Sequence, residues 1–286
     1  MRLEITHEAL VLSKQLIPAQ RREWIQEFLA EHKIAPSAEL SSMLGVSEAT
    51  VRRDLEWMEN EGILFRTHGG AILSQHLQQE PEYKQRAARQ VEEKHAIGRL
   101  AASLVEEGNI IFANSGSTTT QLIRQIPANM NITVVTNNLN AAVETGETGL
   151  EIIIIGGEFQ PTSISVAGRF AINNLNQIYA DKTFLGVDGI TIRHGYTVPS
   201  NAEAEVMRLM IERTNGPKFV VSDHTKWGTV SNFEVAQIDE IHTLITDDKF
   251  NEISIDSLKK KNLEVRIADK NTPESQNRMV NDTLRR

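Results

Sequence analysis

Apolar and polar positions recur along the chain with two different periods. From Pro18 the spacing is helical: Ile25, Phe28 and Leu29 make one apolar stripe, while Arg21, Arg22, Glu23 and Glu27 take the other face. A second short helix fits Ser37–Leu44, with Ser37 as N-cap, Leu40, Met43 and Leu44 inward, and Gly45 supplying a sharp turn. Ser47 then caps a third helix. Its Val51, Leu55 and Met58 fall at i, i+4, i+7, leaving Glu48, Thr50, Arg52 and Arg53 exposed. Past Asn60 the period changes. Glu61-Gly62 ends the helix, Ile63–Arg66 reads as a strand, Thr67–Gly70 as a turn and Ala71–Leu73 as the returning strand. Three short helices and a hairpin predict a winged helix-turn-helix over residues 18–73.

Ser74–Pro81 is polar, which places a linker at 74–82. Tyr83–Glu107 follows as one long helix that buries Ala87, Val91, Ile97, Leu100, Ala101 and Leu104. Strands then alternate with helices: Ile110–Ala113, Ile132–Thr136, Ile152–Ile155, Thr183–Val187, Lys218–Ser222 and His242–Thr246. Several are unbroken apolar runs, the pattern of a parallel sheet covered on both faces, so residues 83–268 are expected to form an α/β domain. A polar tail at 269–286 and an extension at 1–17 flank these two domains.

The 286 residues contain no cysteine, which removes disulfides, thiolate metal sites and thiol nucleophiles and fits a cytoplasmic location. Neither a signal peptide nor an apolar run able to cross a bilayer is seen, so no membrane partner is expected. The eight histidines show no ligand spacing, and neither a metal nor a cofactor is implied. A formal net charge of −8 excludes a chain that coats nucleic acid non-specifically. It leaves room for a small local reader whose specificity rests on a few contacts.

The third helix has the chemistry of such a reader. In a helix-turn-helix the first turns of this helix enter the major groove, where arginine reaches guanine edges and hydroxyls contact phosphate or base. Ser47, Thr50, Arg52 and Arg53 are the candidates there, with Arg66 and His68 on the wing. The competing reading pairs Arg52 and Arg53 with Glu48, Glu56 and Glu59 on an ordinary solvated helix.

In the second domain the strand at Ile110–Ala113 runs into Asn114-Ser115-Gly116-Ser117-Thr118-Thr119, with a helix from Thr120 to Gln125. Free N–H groups at a helix start, a glycine and several hydroxyls suit a phosphate or other anion. The stretch has no lysine of the nucleotide-triphosphate kind, and a capped helix without a ligand is the plainer alternative. Further polar or glycine breaks follow later strands: Asn138, Gly156 and Gly157, Asp188, and Asp223 with Lys226. Loops at the carboxyl ends of such strands face one crevice, where Lys226 would supply positive charge and Glu203 would accept hydroxyl hydrogen bonds. The competing reading makes the breaks ordinary turns, Lys226 a solvated surface residue and Glu203 a first-turn acid favoured by the helix dipole.

Taken together, VSEATVRRDL and RTHGGA, then NSGSTTTQL, VVTNNLNAA, IIGGEF, FLGVDGI, EAEVM and VVSDHTKWG, resemble in content and order the DeoR family of bacterial transcriptional regulators over about residues 18–250. The resemblance implies a winged helix-turn-helix followed by a sensor domain similar in fold to ribose-5-phosphate isomerase. It further implies operator DNA as partner, a phosphorylated sugar or related metabolite as effector, homo-oligomeric binding and, most often, repression of a catabolic operon. By position it assigns Arg52, Arg53, Arg66 and His68 to DNA, Ser115–Thr119 to phosphate, and Asn138, Asp188, Glu203, Asp223 and Lys226 to the rest of the pocket. Two departures stand out: the family commonly has Asp where this chain has Asn114, and Lys where it has Met207. Losing an acid and a base together preserves charge balance if the two face each other.

Two other functions are open to the residues. One is a sugar-phosphate isomerase carrying a DNA-binding module, which the Gly189-Ile190 after Asp188 disfavours because a second acid is missing there. The other is a constitutive DNA-binding protein whose second domain only oligomerises.

Overall fold

A computed structural model describes residues 16–32, 34–60, 63–67, 70–73, 82–145 and 149–269. The chain divides into two compact units, residues 1–79 with 228–230 and residues 80–227 with 231–286. Residues 1–15 of the expected extension, the linker at 74–81, the tail from 270, and the turn residues His68 and Gly69 lie outside the described residues.

The first unit contains α1 (Pro18–His32), β1 (Ile34–Pro36), α2 (Ser37–Leu44), α3 (Glu48–Asn60), β2 (Leu64–Thr67) and β3 (Gly70–Leu73). Ile25, Leu29, Leu40, Leu44, Val51, Leu55, Met58 and Leu64 close one core, so the three predicted stripes meet as their spacing requires. Gly45, at φ +61°, ends α2 in the left-handed conformation that the tight turn needs. Ser37 is not the cap: it is the first helical residue and is buried, and Pro36 occupies the cap position without a side-chain bond. β1 escapes the sequence reading. It pairs antiparallel with β3, making a three-stranded wing in the order β1-β3-β2. A Cβ on Gly70 would lie 2.2 Å from the Ala35 carbonyl oxygen, so the close approach of β1 explains that glycine.

Arg21 and Arg22 are not simply solvent-facing. The Asp54 carboxylate, buried on α3, accepts from Arg21 Nε at 2.7 Å and from Arg22 Nε at 3.2 Å, and the Arg22 guanidinium sits 3.9 Å over the Trp57 ring. This ties α1 to α3 by charge as well as by packing.

The second unit is organised by a seven-stranded parallel sheet in the order β15-β14-β12-β9-β4-β5-β6. Its strands are β4 (Ile110–Ala113), β5 (Thr133–Thr136), β6 (Glu151–Ile154), β9 (Lys182–Leu185), β12 (Lys218–Val221), β14 (Thr243–Asp247) and β15 (Glu264–Ala268). Successive residues serve opposite faces. Phe112, Val135, Leu185, Val220 and Leu244 join one core, and Ile111, Val134, Phe184, Phe219 and Ile245 the other. The first core is covered by α8 (Gly168–Leu175), α9 (Asn201–Glu212) and α10 (Glu252–Lys259). The second is covered by α5 (Val91–Ala102), α6 (Ser117–Arg124) and α7 (Leu139–Thr145). A hairpin of β7 (Glu158–Gln160) and β8 (Ser165–Ala167) and an antiparallel sheet of β10 (Gly189–Thr191), β11 (Gly195–Val198) and β13 (Phe233–Ala236) complete the unit. No helix among the described residues is long and apolar enough to cross a membrane.

Six of the seven parallel strands follow from their apolar runs; β15 does not, because as an edge strand it carries Glu264 and Arg266, paired at 2.8 Å. The long helix expected at Tyr83–Glu107 is broken in two. Gln90, at φ +50°, separates α4 (Tyr83–Ala87) from α5, and Val91 is exposed rather than buried. A non-glycine residue in the left-handed region cannot continue a helix, and apolar spacing alone does not reveal it. α6 likewise starts at Ser117, earlier than the Thr120 expected.

Gly98 of α5 crosses α6 so closely that a Cβ there would lie 2.7 Å from the Gln121 carbonyl carbon. Gly98→Ala should therefore lower stability by about 1–3 kcal/mol through overpacking. Asp54→Ala, which leaves buried Arg21 without its carboxylate, should cost about 3–5 kcal/mol. Urea denaturation of the full chain checks both.

Candidate functional site

On the first unit, Ser47 caps α3, its Oγ accepting from Thr50 N at 3.2 Å and lying 2.9 Å from Thr50 Oγ1. Arg52 pairs with Glu48 at 3.3 Å, both side chains well exposed, and Arg53 is exposed beside it. Glu59 accepts from the Arg66 backbone N–H at 3.2 Å and so fixes the base of the wing to α3. The face left open at the start of α3 is thus basic and hydroxyl-bearing, and the exposed Arg52–Glu48 pair is of the weak kind that a phosphate or base displaces at little cost.

On the second unit, the connections leaving β4 and β9 depart to opposite sides of the sheet, which makes the carboxyl ends of these neighbouring strands a topological switch point. The Asn114–Thr119 loop lies there. Asn114 Oδ1 accepts from Gly186 N at 2.7 Å and its Nδ2 donates to Gly186 O at 2.9 Å, continuing the β4–β9 pairing through a side chain. The same Nδ2 lies 3.2 Å from Met207 Sδ, so the two positions that depart from the resemblance do face each other, as a neutral pair. Ser115 N donates to Asn137 Oδ1 at 2.8 Å; Thr119 Oγ1 donates to Asn114 O and Gly116 O. Asn138 Nδ2 donates to Thr120 Oγ1 at 2.9 Å, and Tyr83 Oη meets the same hydroxyl at 3.0 Å. Burial pushes the Tyr83 phenol above its ordinary range, with the Thr120 bond working against that shift.

Asn114 and Asn138 are therefore spent on holding the loop, and Asn137, next to Asn138 in the same polar break, shares that work. The hydroxyls of Ser117 and Thr118 stand in the first turn of α6, whose leading N–H groups have no intrahelical acceptor. Glu203 enters α9 behind its cap Ser200, and its Oε1 accepts from Ser165 Oγ at 3.1 Å and Ser115 Oγ at 3.4 Å.

Charge gathers beside the loop. Lys226 Nζ is 3.1 Å from Asp188 Oδ1, and Arg86 Nη1 of α4 is 3.7 Å from the same oxygen. Burial works to raise the Asp188 carboxyl, but Lys226, Arg86 and Lys94 outweigh it and hold the group below its usual range. Lys94, nearly fully buried on α5, donates to Arg86 O at 2.5 Å and Arg89 O at 2.8 Å. Burial lowers its ammonium from 10.5 to about 8; Asp223 and Asp188 oppose the shift, while Lys226 and Arg86 add to it. Asp223 itself is buried and caps the short turn His224–Lys226, accepting from Thr225 N at 3.0 Å. Gly157 is closely packed, since a Cβ there would meet the Ala167 oxygen at 2.5 Å, and Gly156 takes φ +66°.

The sequence reading thus finds Asp188, Asp223 and Lys226 but misses Arg86 and Lys94. They precede the loop by a helix and a strand and carry no motif of their own. Their only signal is two cations in a segment whose apolar partners mark it as covered.

Comparisons with known proteins give a family match to each part of the chain. The DeoR-like helix-turn-helix domain matches residues 21–76, and the DeoR C terminal sensor domain matches residues 89–248. The chain is 32% identical to the HTH-type transcriptional regulator GolR of Listeria innocua, over 89% of this chain and 100% of that one. It is 33% identical to the HTH-type transcriptional repressor GlcR of Bacillus subtilis, over 86% and 94%. Ribose 5-phosphate isomerase A from Methanocaldococcus jannaschii aligns over 47% of this chain and 53% of its own at 15% identity, with a TM-score of 0.34.

The depressed Lys94 sets a pH dependence. Between about pH 8 and 10.5 the unfolded chain holds a proton that the folded chain has released, so stability rises with pH through this window. The stability of the wild type relative to Lys94→Met should climb over that range and level off above it, as read by urea denaturation at a series of pH values.

Proposed function

The chain belongs to the DeoR family of transcriptional regulators, and from that premise we propose that it represses a sugar or related carbon catabolic operon under the control of a phosphorylated sugar bound by its second unit. The observation that carries the ligand reading is the loop at the switch point: hydroxyls and helix-leading N–H groups beside a cluster in which Arg86, Lys94 and Lys226 outnumber Asp188 and Asp223. A phosphoryl group suits that excess of positive charge, while Glu203, Ser115 and Ser165 suit the hydroxyls of a sugar. The reading takes Ser115–Thr119, Asp188, Glu203, Asp223 and Lys226 as the ligand-binding set and Ser47, Thr50, Arg52, Arg53 and Arg66 as the operator-facing set. The named repressor among the relatives supports the sign of control.

Binding without turnover is the preferred chemistry. Lys226, Arg86 and Lys94 hold the Asp188 carboxyl below its usual range, and the next residues are Gly189 and Ile190, so no second acid follows it in the chain to relay a proton. The regulator acts as a homo-oligomer on repeated half-sites, and the ligand acts by favouring one arrangement over another in proportion to its differential affinity.

Two measurements test this. In a thermal-shift screen, one phosphorylated sugar should stabilise the protein beyond both inorganic phosphate and the matching free sugar, because a ligand that binds only the folded state raises stability by mass action. A flat panel with folded, ligand-free protein would sink the sensor reading. In DNA titrations, Arg53→Ala should weaken specific operator binding by about 1–3 kcal/mol while non-specific binding changes less. Equal loss on both would make Arg53 a phosphate contact.

A further inference from the structure

α4 is a helix of one and a half turns that owes its position to polar ties more than to an apolar face. Tyr83 N donates to Thr162 O at 2.9 Å, and Tyr83 Oη meets Thr120 Oγ1 on the helix that the loop opens. Arg86, mostly buried, reaches Asp188. Lys94 of α5 grips the Arg86 and Arg89 carbonyls from below and so closes the break at Gln90. Apart from the Tyr83–Thr162 bond, these ties end on the candidate ligand site or on a group in its electrostatic field. In sequence, α4 is also the first helix after the wing.

We propose that Arg86 is an anion-binding residue of the ligand site, and that through it a bound phosphoryl group fixes the position of α4, the first helix of the second unit. This rests on the functional reading above and adds to it a residue and a mechanism of response. Asp188 Oδ1 is shared by Lys226 Nζ at 3.1 Å and by Arg86 Nη1 at the longer 3.7 Å, so Lys226 is the nearer of its two cations. A phosphate offers the guanidinium two oxygens in the planar geometry that it prefers. When the anion arrives, Asp188 keeps Lys226 and the Arg86 fork turns to the phosphate. Because Lys94 holds the Arg86 main chain, the change is carried by α4 as a body rather than lost in a single side chain. A neutral sugar cannot recruit the guanidinium and leaves α4 where it is.

Hydrogen–deuterium exchange of the full chain, with and without inorganic phosphate at concentrations saturating for each variant, tests this. In the wild type, phosphate should slow exchange at residues 115–119 and change it at least threefold over residues 83–89. Arg86→Gln should abolish the response over 83–89 while that at 115–119 persists or weakens, with phosphate affinity down about tenfold for one lost charge-assisted contact. Arg89→Gln, changed on an exposed side chain, should keep both responses. An α4 response equal in wild type and Arg86→Gln overturns the proposal, as does a wild type whose loop responds while α4 does not. If neither segment of the wild type responds, the loop holds no free phosphate and this proposal falls, while the functional reading stands or falls by the thermal-shift screen. Should Arg86→Gln not fold, Asp188→Asn probes the same tie: α4 should then exchange faster before phosphate is added, and unchanged exchange overturns the proposal.

Discussion

The second unit depends on a parting of the chain. β4 and β9 lie side by side, yet their connections leave to opposite sides of the sheet, and at such a place the sheet cannot cover its own carboxyl edge. The backbone there must end its ladder without leaving polar groups stranded. Asn114 resolves this by acting as one more ladder residue toward Gly186, with both of its side-chain polar atoms engaged. Everything nearby is built on that clasp: the Ser115 amide turned to Asn137, Thr119 folded back on the loop carbonyls, and α6 leading away with its first N–H groups forward.

Electrostatics then divides the site in two. Around Glu203 the partners are hydroxyls, the environment that also meets a sugar ring. Around Asp188 they are cations, and their field is strong enough to overcome the burial that would otherwise neutralise the carboxyl. Lys94 belongs to the same field but answers it in the opposite way, because its own burial dominates. It meets two backbone carbonyls, a number that a neutral amine still satisfies with its two remaining N–H donors. Its role in joining α4 to α5 therefore does not require it to stay charged.

Much of this was legible in the residues. The helical stripes of the first unit and six apolar strand runs of the second report burial directly, since burial is what periodicity encodes. The loop was legible because hydroxyls and a glycine between a strand and a helix have few structural reasons to cluster. What escaped depends on partners distant in the chain. Arg21 looks like a surface residue until Asp54 meets it across α1 and α3, and Arg86 looks like one until Asp188 does. β1 is three residues long and exists because β3 needed a neighbour. Asn138 was placed in the pocket by its motif, whereas its hydrogen bonds show it bracing Thr120 and Gly116.

The contact between Asn114 and Met207 bears on how such a protein changes over generations. Met207 is about 1% exposed, and its sulfur faces the amide that closes the switch point. A lysine arriving alone at Met207 would place an ammonium in a nearly dry position facing an amide, and an aspartate arriving alone at Asn114 would place a carboxylate there with a thioether for company. Each single step sets an unbalanced charge in the interior, the costliest kind of polar error. The neutral pair is thus separated from an acid–base pair at the same two positions by two unfavourable single steps. A charge introduced at one of these positions therefore calls for its counterpart at the other, and the two residues act as one unit of substitution.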